Sequence, residues 1–347
     1  MNNKPILLVA GEPNSIFLEI LFKAYQSKKY KSPLVLIASY KLLKLQMKFL
    51  KFNKKIKILD KKNLKKYKLN NESINLINED YNSILAFQKI SSNSNVYIEN
   101  CFNNAISLIK SGYSNKLING PISKKYFLKK KFLGITEYLA NKFKKKKIAM
   151  LIYNKSLSVC PSTTHLPLKN VSKKINKKLI IEKVILIHKF YKKTLGIKPR
   201  IAVTGLNPPC ESTDIFSEDS KILKPVIKYL KKRGHNIFGP FPADTIFLKK
   251  NRKKYHVILG MYHDQVLAPI KTLFEYDAIN ITLGLPFIRV SPDHGPNESM
   301  LGKNLSNPLS LIQAIKFLDK AKWSDQKKVW VRTCLLYTSD AADEEDS

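Results

Sequence analysis

The chain has 347 residues, of which 44% are hydrophobic and 10% aromatic. This apolar content is enough to bury a sizeable core, so we expect a folded chain despite the charge, and the length suggests two domains or two lobes. Lys and Arg outnumber Asp and Glu by 62 to 26, yet only five of the cations are arginines. Because phosphate and base contacts favour the arginine fork, we interpret the net charge of +36 as solvated lysine and expect no nucleic-acid binding.

The four cysteines form no CxxC pair and no metal-ligand spacing, which predicts a reducing compartment without disulfides. No stretch approaches the roughly 18 apolar residues of a membrane span, and the N-terminus shows no cleavage signal. We therefore expect a cytoplasmic protein that does not enter the membrane. Residues 334–347 hold five acidic and no basic side chains and resemble translated adaptor sequence. We predict that they are a non-native tail; an acidic regulatory tail is the alternative.

Apolar runs alternate with stretches of helical periodicity along the chain. The runs predict strands at residues 5–10, 34–38, 56–59, 116–119, 148–153, 157–160, 200–204, 257–261 and 278–283. The helical stretches are at residues 15–25, 96–110 and 179–193. This alternation predicts an α/β fold with a largely parallel sheet.

Polar loop sequences follow several of the predicted strands: NGP at 119–121, TTH at 163–165, GLNP at 205–208, MYHDQ at 261–265 and GLP at 284–286. Open α/β sheets bind ligands at the carboxyl ends of their strands, so these loops predict one composite site. Neither GxGxxG nor GxxxxGK[ST] occurs, and a bound nucleotide would need another loop design.

Three of the six histidines lie in loops that follow predicted strands: His165, His263 and His294. Imidazoles that are distant in sequence can converge on one divalent metal ion when neighbouring strands end side by side. The spacing alone leaves open whether these three do so.

Seven sequence blocks occur in an order typical of one enzyme family: NGPISK (119–124), GITEYLA (134–140), STTHLPLKNV (162–171), RIAVTGLNP (200–208), GPFPADTIF (239–247), MYHDQVLAPIK (261–271) and NITLGLPFIRVSPDHG (280–295). Together they resemble the 4-hydroxythreonine-4-phosphate dehydrogenase family. The resemblance implies a two-lobed α/β/α fold like that of isocitrate and isopropylmalate dehydrogenases, with the active site in the inter-lobe cleft, and a homodimer. We predict one lobe from residues 1–128 with 300–333, and a second, holding the metal and substrate site, from residues 129–299.

The resemblance also assigns roles to single residues. Two metal ligands would be His165 and His263. The third falls at Pro209, which has no donor side chain, so the neighbouring Cys210 is the candidate substitute. Lys271 and Asp244 would be catalytic, and Ile135 stands where the family has a histidine.

Two further sets of residues would bind the ligands. The substrate set is Thr136, Lys271, Asn280 and Arg289. The segment that would hold NAD contributes Asp293, His294, Gly295, Asn297, Gly302 and Asn304. From the residues alone, Arg289 could instead form a surface ion pair, and Asp244 could cap a turn after Pro242.

The activity that the resemblance implies is NAD-dependent oxidative decarboxylation of 4-phosphohydroxy-L-threonine to 3-amino-2-oxopropyl phosphate. A divalent ion such as Zn²⁺, Mg²⁺ or Co²⁺ would assist it, within pyridoxal 5′-phosphate biosynthesis. One alternative is a related dehydrogenase for another β-hydroxy acid, phosphorylated or not. The other is a non-catalytic basic homologue that binds anions or nucleic acid.

Overall fold

A computed structural model of the chain describes residues 4–27, 29–128, 131–208, 210, 217–292 and 295–323. Strands in these ranges are β1 (Ile6–Val9), β2 (Leu34–Ala38), β3 (Ile56–Ile58), β4 (Ile74–Asn78), β5 (Lys116–Asn119), β6 (Ala149–Tyr153), β7 (Ser158–Pro161), β8 (Ile201–Thr204), β9 (Ile237–Phe241), β10 (Val257–Gly260), β11 (Ile279–Leu283) and β12 (Ile288–Pro292). They form a single sheet in the order β3-β4-β2-β1-β5-β12-β11-β6-β7-β10-β8-β9.

Two parallel regions of the sheet flank an antiparallel centre. The strands from β3 to β12 in this order run parallel to one another, and so do β7, β10, β8 and β9. Between them, β11 is antiparallel to both β12 and β6, and β6 is antiparallel to β7. The predicted α/β fold with a largely parallel sheet is therefore confirmed.

Helices cover both faces of the sheet. In the described ranges the α-helices are α1 (Phe17–Ser27), α2 (Tyr40–Phe49), α3 (Asn95–Lys110), α4 (Ile135–Lys142), α5 (Val171–Lys174), α6 (Lys177–Phe190), α7 (Lys224–Lys232), α8 (Ala243–Ile246), α9 (Lys249–Arg252), α10 (His263–Phe274) and α11 (Leu309–Lys320). Side-chain caps start some of them: Ser39 accepts a hydrogen bond from the backbone N–H of Leu42 in α2, and Asn176 does the same for Leu179 in α6. None of these helices is long and apolar enough to cross a membrane.

The hydrophobic core differs between the two faces. On one face, a single cluster extends from β2 and β1 through β12 and β11 to β10 and β8, under α1, α6, α7 and α11. On the other face, the apolar residues form two separate clusters. One lies under α3 and α4, against β1, β2 and β5; the other lies under α10, against β6, β7, β8 and β10.

The C-terminal helix returns to the beginning of the chain, because α11 packs against α1 and against β5, β11 and β12. The division into lobes of residues 1–128 with 300–333 and residues 129–299 stays a prediction. The predicted tail, residues 334–347, lies outside the described residues.

Candidate active site

Polar side chains occupy the sheet between the two separate apolar clusters. Alternation along each strand decides which face they point to, because Ile118, Ile281 and Val290 belong to the continuous cluster on the opposite face. The residues directly before or after these three in the same strands point to the other face of the sheet, into the space between the two separate clusters. We call this set the polar gap: Asn119 on β5, Arg289 on β12, and Thr282 and Asn280 on β11.

Arg289 is the central side chain of the polar gap and is fully buried. Its Nε donates a hydrogen bond to Asn119 Oδ1 at 2.7 Å, and its Nη1 donates to Thr282 Oγ1 at 2.9 Å. Its Nη2 is also buried and has no partner among the described residues. A surface ion pair is thus the wrong interpretation of this arginine.

The charge of Arg289 is only partly compensated. Burial lowers the pKa of its guanidinium to about 9, and the negative charge of Glu137 opposes this shift. The group is still protonated at neutral pH. A buried cation with one unpaired nitrogen is a site that an anionic ligand can complete.

Helix α4 brings a hydroxyl and a carboxylate to the edge of the polar gap. Thr136 Oγ1 lies 3.3 Å from Thr282 Oγ1, so it joins the hydrogen-bond network of Arg289. The next residue, Glu137, has a buried Oε2 without a hydrogen-bond partner among the described residues. The helix begins after Gly134, where an added Cβ would lie 3.0 Å from that Oε2. Glycine at this position lets the carboxylate approach the backbone.

Asn280 lies next to Thr282 on the same face of β11. Its Nδ2 contacts the sulfur of Met150 on the neighbouring strand at 3.4 Å. Its Oδ1 is buried and has no donor among the described residues. This side chain can therefore accept a hydrogen bond from a ligand that carries an N–H or O–H group.

The two histidines predicted as metal ligands are neighbours in space. The ring centroids of His165 and His263 lie 5.8 Å apart. Desolvation, and then the nearby positive charge of Lys124, lower the pKa of His165, which keeps its imidazole neutral at pH 7. The Nδ1 of His263 lies 2.7 Å from Asp264 Oδ1, which leaves Nε2 available to a ligand.

The loop after β8, where the third metal ligand was expected, is held by the buried Asp219 and the half-buried Gln265. Asp219 accepts hydrogen bonds from the backbone N–H groups of Leu206 and Asn207, and Gln265 donates one to the carbonyl of Gly205. Pro209 itself lies outside the described residues.

Cys210, the candidate substitute for that ligand, is buried, and its burial together with nearby carboxylates raises the pKa of its thiol. A metal ion bound at this position would have to displace the thiol proton. Among the described residues, no group of three His, Cys, Asp or Glu side chains is arranged to hold a metal ion.

Lys271 and Asp244 are the two residues that the resemblance predicts to be catalytic. Lys271 is half-buried on α10, two helical turns and so roughly 12 Å along the axis from His263. Asp244 is exposed in the first turn of α8 and lines an open cavity of about 500 Å³ between α8, α9 and α10. Neither residue has a described contact with the polar gap.

The segment predicted to hold NAD is anchored on α1. Asp293 and His294 lie outside the described residues, whereas Gly295, Asn297, Gly302 and Asn304 are described. The Nζ of Lys23 donates hydrogen bonds to the carbonyls of Asn304 and Ser306, at 2.9 and 2.8 Å. The nearly fully buried Glu19 accepts from the N–H of Ser306 and also pairs with Lys23.

The backbone of this segment is left-handed at Asn297, Gly302 and Asn304. Such residues turn the chain tightly, and an added Cβ at Gly302 would lie 3.1 Å from the ring of Phe49.

The sequence of the chain matches a family model and the sequences of known enzymes. The family model described as pyridoxal phosphate biosynthetic protein PdxA matches residues 29–318. The chain is 38% identical over 323 residues to a 4-hydroxythreonine-4-phosphate dehydrogenase of a Sulfurihydrogenibium species, an alignment that covers 90% of this chain and 96% of the relative. The chain belongs to the PdxA family.

Solved structures of PdxA family members have the same fold. A 4-hydroxythreonine-4-phosphate dehydrogenase from Klebsiella pneumoniae superimposes with a TM-score of 0.80 at 26% identity, covering 92% of this chain and 98% of that one. A terephthalate 1,2-cis-dihydrodiol dehydrogenase from Burkholderia xenovorans reaches a TM-score of 0.61 at 18% identity, covering 92% and 98% of the two chains, and shows the fold alone.

The structure brings together only part of the predicted PdxA site. Thr136 and Arg289 share one network through Thr282, and His165 lies beside His263. Sequence reasoning missed Thr282 and Glu137, and it placed Asn119 in a loop of the composite site without giving the side chain a role. The available signals were the position of Asn119 at the end of a strand and of Glu137 directly after Thr136.

Proposed function

We propose that the chain catalyses the NAD-dependent oxidative decarboxylation of 4-phosphohydroxy-L-threonine to 3-amino-2-oxopropyl phosphate, a step in pyridoxal 5′-phosphate biosynthesis. The observation that carries the proposal is the fully buried Arg289 with its unpaired Nη2, in a chain of the PdxA family. The substrate has a phosphate and a carboxylate, and either of these oxyanions matches an unpaired guanidinium edge. The relatives named as 4-hydroxythreonine-4-phosphate dehydrogenases support this choice of substrate.

The proposed reaction removes a hydride from the carbon that bears the secondary hydroxyl and a proton from its oxygen. The product is a β-keto acid, which loses carbon dioxide and takes up a proton at the carbon that carried the carboxylate. NAD, when bound, accepts the hydride. Arg289 and Thr136 would bind an oxyanion of the substrate, and Asn280 would accept a hydrogen bond from it. Lys271 would transfer the proton, and Asp244 is the second proposed catalytic residue.

A divalent cation fits these residues only in part. His165 and His263 lie close to each other, and imidazole is a common ligand of Zn²⁺ and Co²⁺. The pKa of His165 is lowered, and the Nδ1 of His263 is oriented by Asp264. The described residues offer no third protein ligand. The ion would polarise the substrate hydroxyl when bound.

The proposed NAD site is the anchored segment with Gly295, Asn297, Gly302 and Asn304, together with Asp293 and His294. Its hydrogen bonds to α1 support a fixed loop that takes the place of a glycine-rich fingerprint. We also propose that the protein acts in the cytoplasm as a homodimer, which sedimentation equilibrium can test.

The test of this function is the formation of NADH from 4-phosphohydroxy-L-threonine, with and without added Zn²⁺, Mg²⁺ or Co²⁺. Unphosphorylated 4-hydroxy-L-threonine is the matched control substrate. We expect NADH and carbon dioxide in equal amounts from the phosphorylated substrate, and slow turnover of the control. Absence of NADH under every metal condition, from a protein that melts cooperatively, would refute the proposal.

A further inference from the structure

We infer that Asn119 and Thr282 are positioning residues that hold the guanidinium of Arg289 in one orientation, so that Nη2 faces the polar gap as a preformed binding group for an oxyanion. This inference rests on the proposed function, in which Arg289 binds the substrate. It adds two residues whose effect on the substrate is exerted through another side chain.

The hydrogen bonds of Arg289 define its plane. Nε and Nη1 are each held by a side-chain oxygen, at 2.7 Å from Asn119 and 2.9 Å from Thr282. Two fixed nitrogens in a planar group fix the third, so Nη2 cannot turn away without breaking a bond. Buried arginines that serve only the fold normally satisfy all their donors, whereas here one nitrogen has no partner among the described residues.

Asn119 is itself held rigidly at the end of β5. Its Nδ2 donates a hydrogen bond to the carbonyl of Gly120 at 2.8 Å, which fixes the amide so that Oδ1 faces Arg289. The backbone there cannot move easily, since Gly120 donates to the carbonyl of Val9 and an added Cβ on it would lie 2.2 Å from the carbonyl oxygen of Ala10. The acceptor for Nε is therefore part of the sheet.

Thr282 connects Arg289 with the other predicted substrate residue of this network. It pairs directly across the strands with Arg289 in the register of β11 and β12, and it is almost fully buried. Its hydroxyl accepts from Nη1 and also lies 3.3 Å from the hydroxyl of Thr136. One side chain thus sets the spacing between the guanidinium and the Thr136 hydroxyl, which is how a site becomes preorganised for a ligand.

The test compares Thr282→Val, which keeps the shape but removes the acceptor, with Thr282→Ser, which keeps the hydroxyl. We expect Thr282→Val to raise the KM of the phosphorylated substrate about ten-fold, which corresponds to about 1.4 kcal/mol. Calorimetric titration with inorganic phosphate should show a similar loss of affinity. Thr282→Ser should stay within about three-fold of the unmodified protein in both measurements, and the KM for NAD should not change in either variant.

Asn119→Ala provides an independent second variant if Thr282→Val does not fold, and it should weaken phosphate binding in the same way. Comparison with unphosphorylated 4-hydroxy-L-threonine identifies the oxyanion. A loss confined to the phosphorylated substrate places the phosphate at Nη2, and an equal loss for both substrates places the carboxylate there.

Two outcomes would overturn the positioning role: phosphate and substrate binding by folded Thr282→Val equal to that of the unmodified protein, or no oxyanion binding by the unmodified protein. A different result would refute the proposed function and leave the positioning role intact. If the unmodified protein binds phosphate but never forms NADH, and Thr282→Val binds it more weakly, then the reaction assignment is wrong and the positioning role stands.

Discussion

Glu12 carries a buried carboxyl group in the loop that follows β1, with 1% of its surface exposed. Burial raises its pKa, although hydrogen bonds from the N–H of Asn14 and the hydroxyl of Ser94 act in the opposite direction. The folded state therefore favours the protonated form more than the unfolded state does. The stability that this group contributes is present at low pH and is lost as the pH rises through its raised pKa.

We predict that Glu12→Gln will raise the melting temperature at about pH 8, with the advantage shrinking or reversing at about pH 4. The amide can still accept from Asn14 and can donate to Ser94, so the change mainly removes the buried charge. Thermal unfolding over this pH range checks it, with the exposed Glu72→Gln as the control. An identical pH profile for Glu12→Gln and the unmodified protein would contradict the prediction.

Pro209 stands where the PdxA resemblance places a metal ligand. We predict that Pro209→His will tighten binding of Zn²⁺ or Co²⁺ by at least roughly ten-fold, because a third imidazole adds both a bond and a geometric constraint to His165 and His263. Calorimetric titration measures this without any need for turnover. Pro208→His is the matched control, since it adds an imidazole one position away. Equal affinity for Pro209→His and the unmodified protein would mean that another group already fills this position.

Among single residues, the sequence identified those that belong to recognisable blocks, such as Arg289. It did not reveal that this arginine is fully buried, because burial depends on Asn119, some 170 residues earlier in the chain, and on the pairing of β11 with β12. Thr282 looked like an ordinary β-branched residue in a strand. Contacts between distant segments decide both roles.

At the scale of elements, the anchoring of the proposed NAD segment on α1 leads to a further prediction. Lys23 binds two carbonyls of that segment and the buried carboxylate of Glu19. Lys23→Met keeps the aliphatic stem but removes the three donors, so the segment should lose its fixed position. We expect the KM for NAD to rise about five-fold or more, while the KM of the substrate changes little.

Steady-state kinetics with each ligand varied separately checks this expectation. Lys44→Met, on the exposed face of α2, is the control for loss of one positive charge. An unchanged KM for NAD in Lys23→Met would mean that the anchored segment does not contribute to NAD binding.

Strands with uninterrupted apolar runs were predicted well, and β2 and β5 have the predicted bounds. The strands that the sequence did not predict carry residues that interrupt such runs. β12 has Arg289 near its start and Pro292 at its end, β9 contains Gly239 and Pro240, and β4 has an asparagine at its second and at its last position. Gly, Pro and Asn are depleted in strands, so the low β-propensity of these segments argues against a strand. Pairing with neighbouring strands in the sheet nevertheless holds them in the extended conformation.

For the whole molecule, we predict that removal of residues 334–347 will leave the melting temperature and the NADH-forming activity unchanged. The helix α11, which precedes the last described residues, already packs against α1 and β12 without that segment. Differential scanning calorimetry of the shortened and full chains is the measurement, and truncation directly after residue 308, which removes α11 as well, is the destabilised control. A lower melting temperature for the shorter deletion would show that the acidic segment is part of the fold.

Strand β5 lies between β1 and β12 in the sheet, and β12 is synthesised about 170 residues after β5. At roughly 5–20 residues per second, this interval lasts about 9–34 seconds during synthesis. In a sheet that assembles in the order of synthesis, β5 is an open edge throughout this interval, with unpaired N–H and C=O groups that can recruit another strand. The nascent chain is therefore exposed to edge-to-edge aggregation from the time β5 is made until β12 is made, and we expect chaperone protection of β5 to matter during this interval.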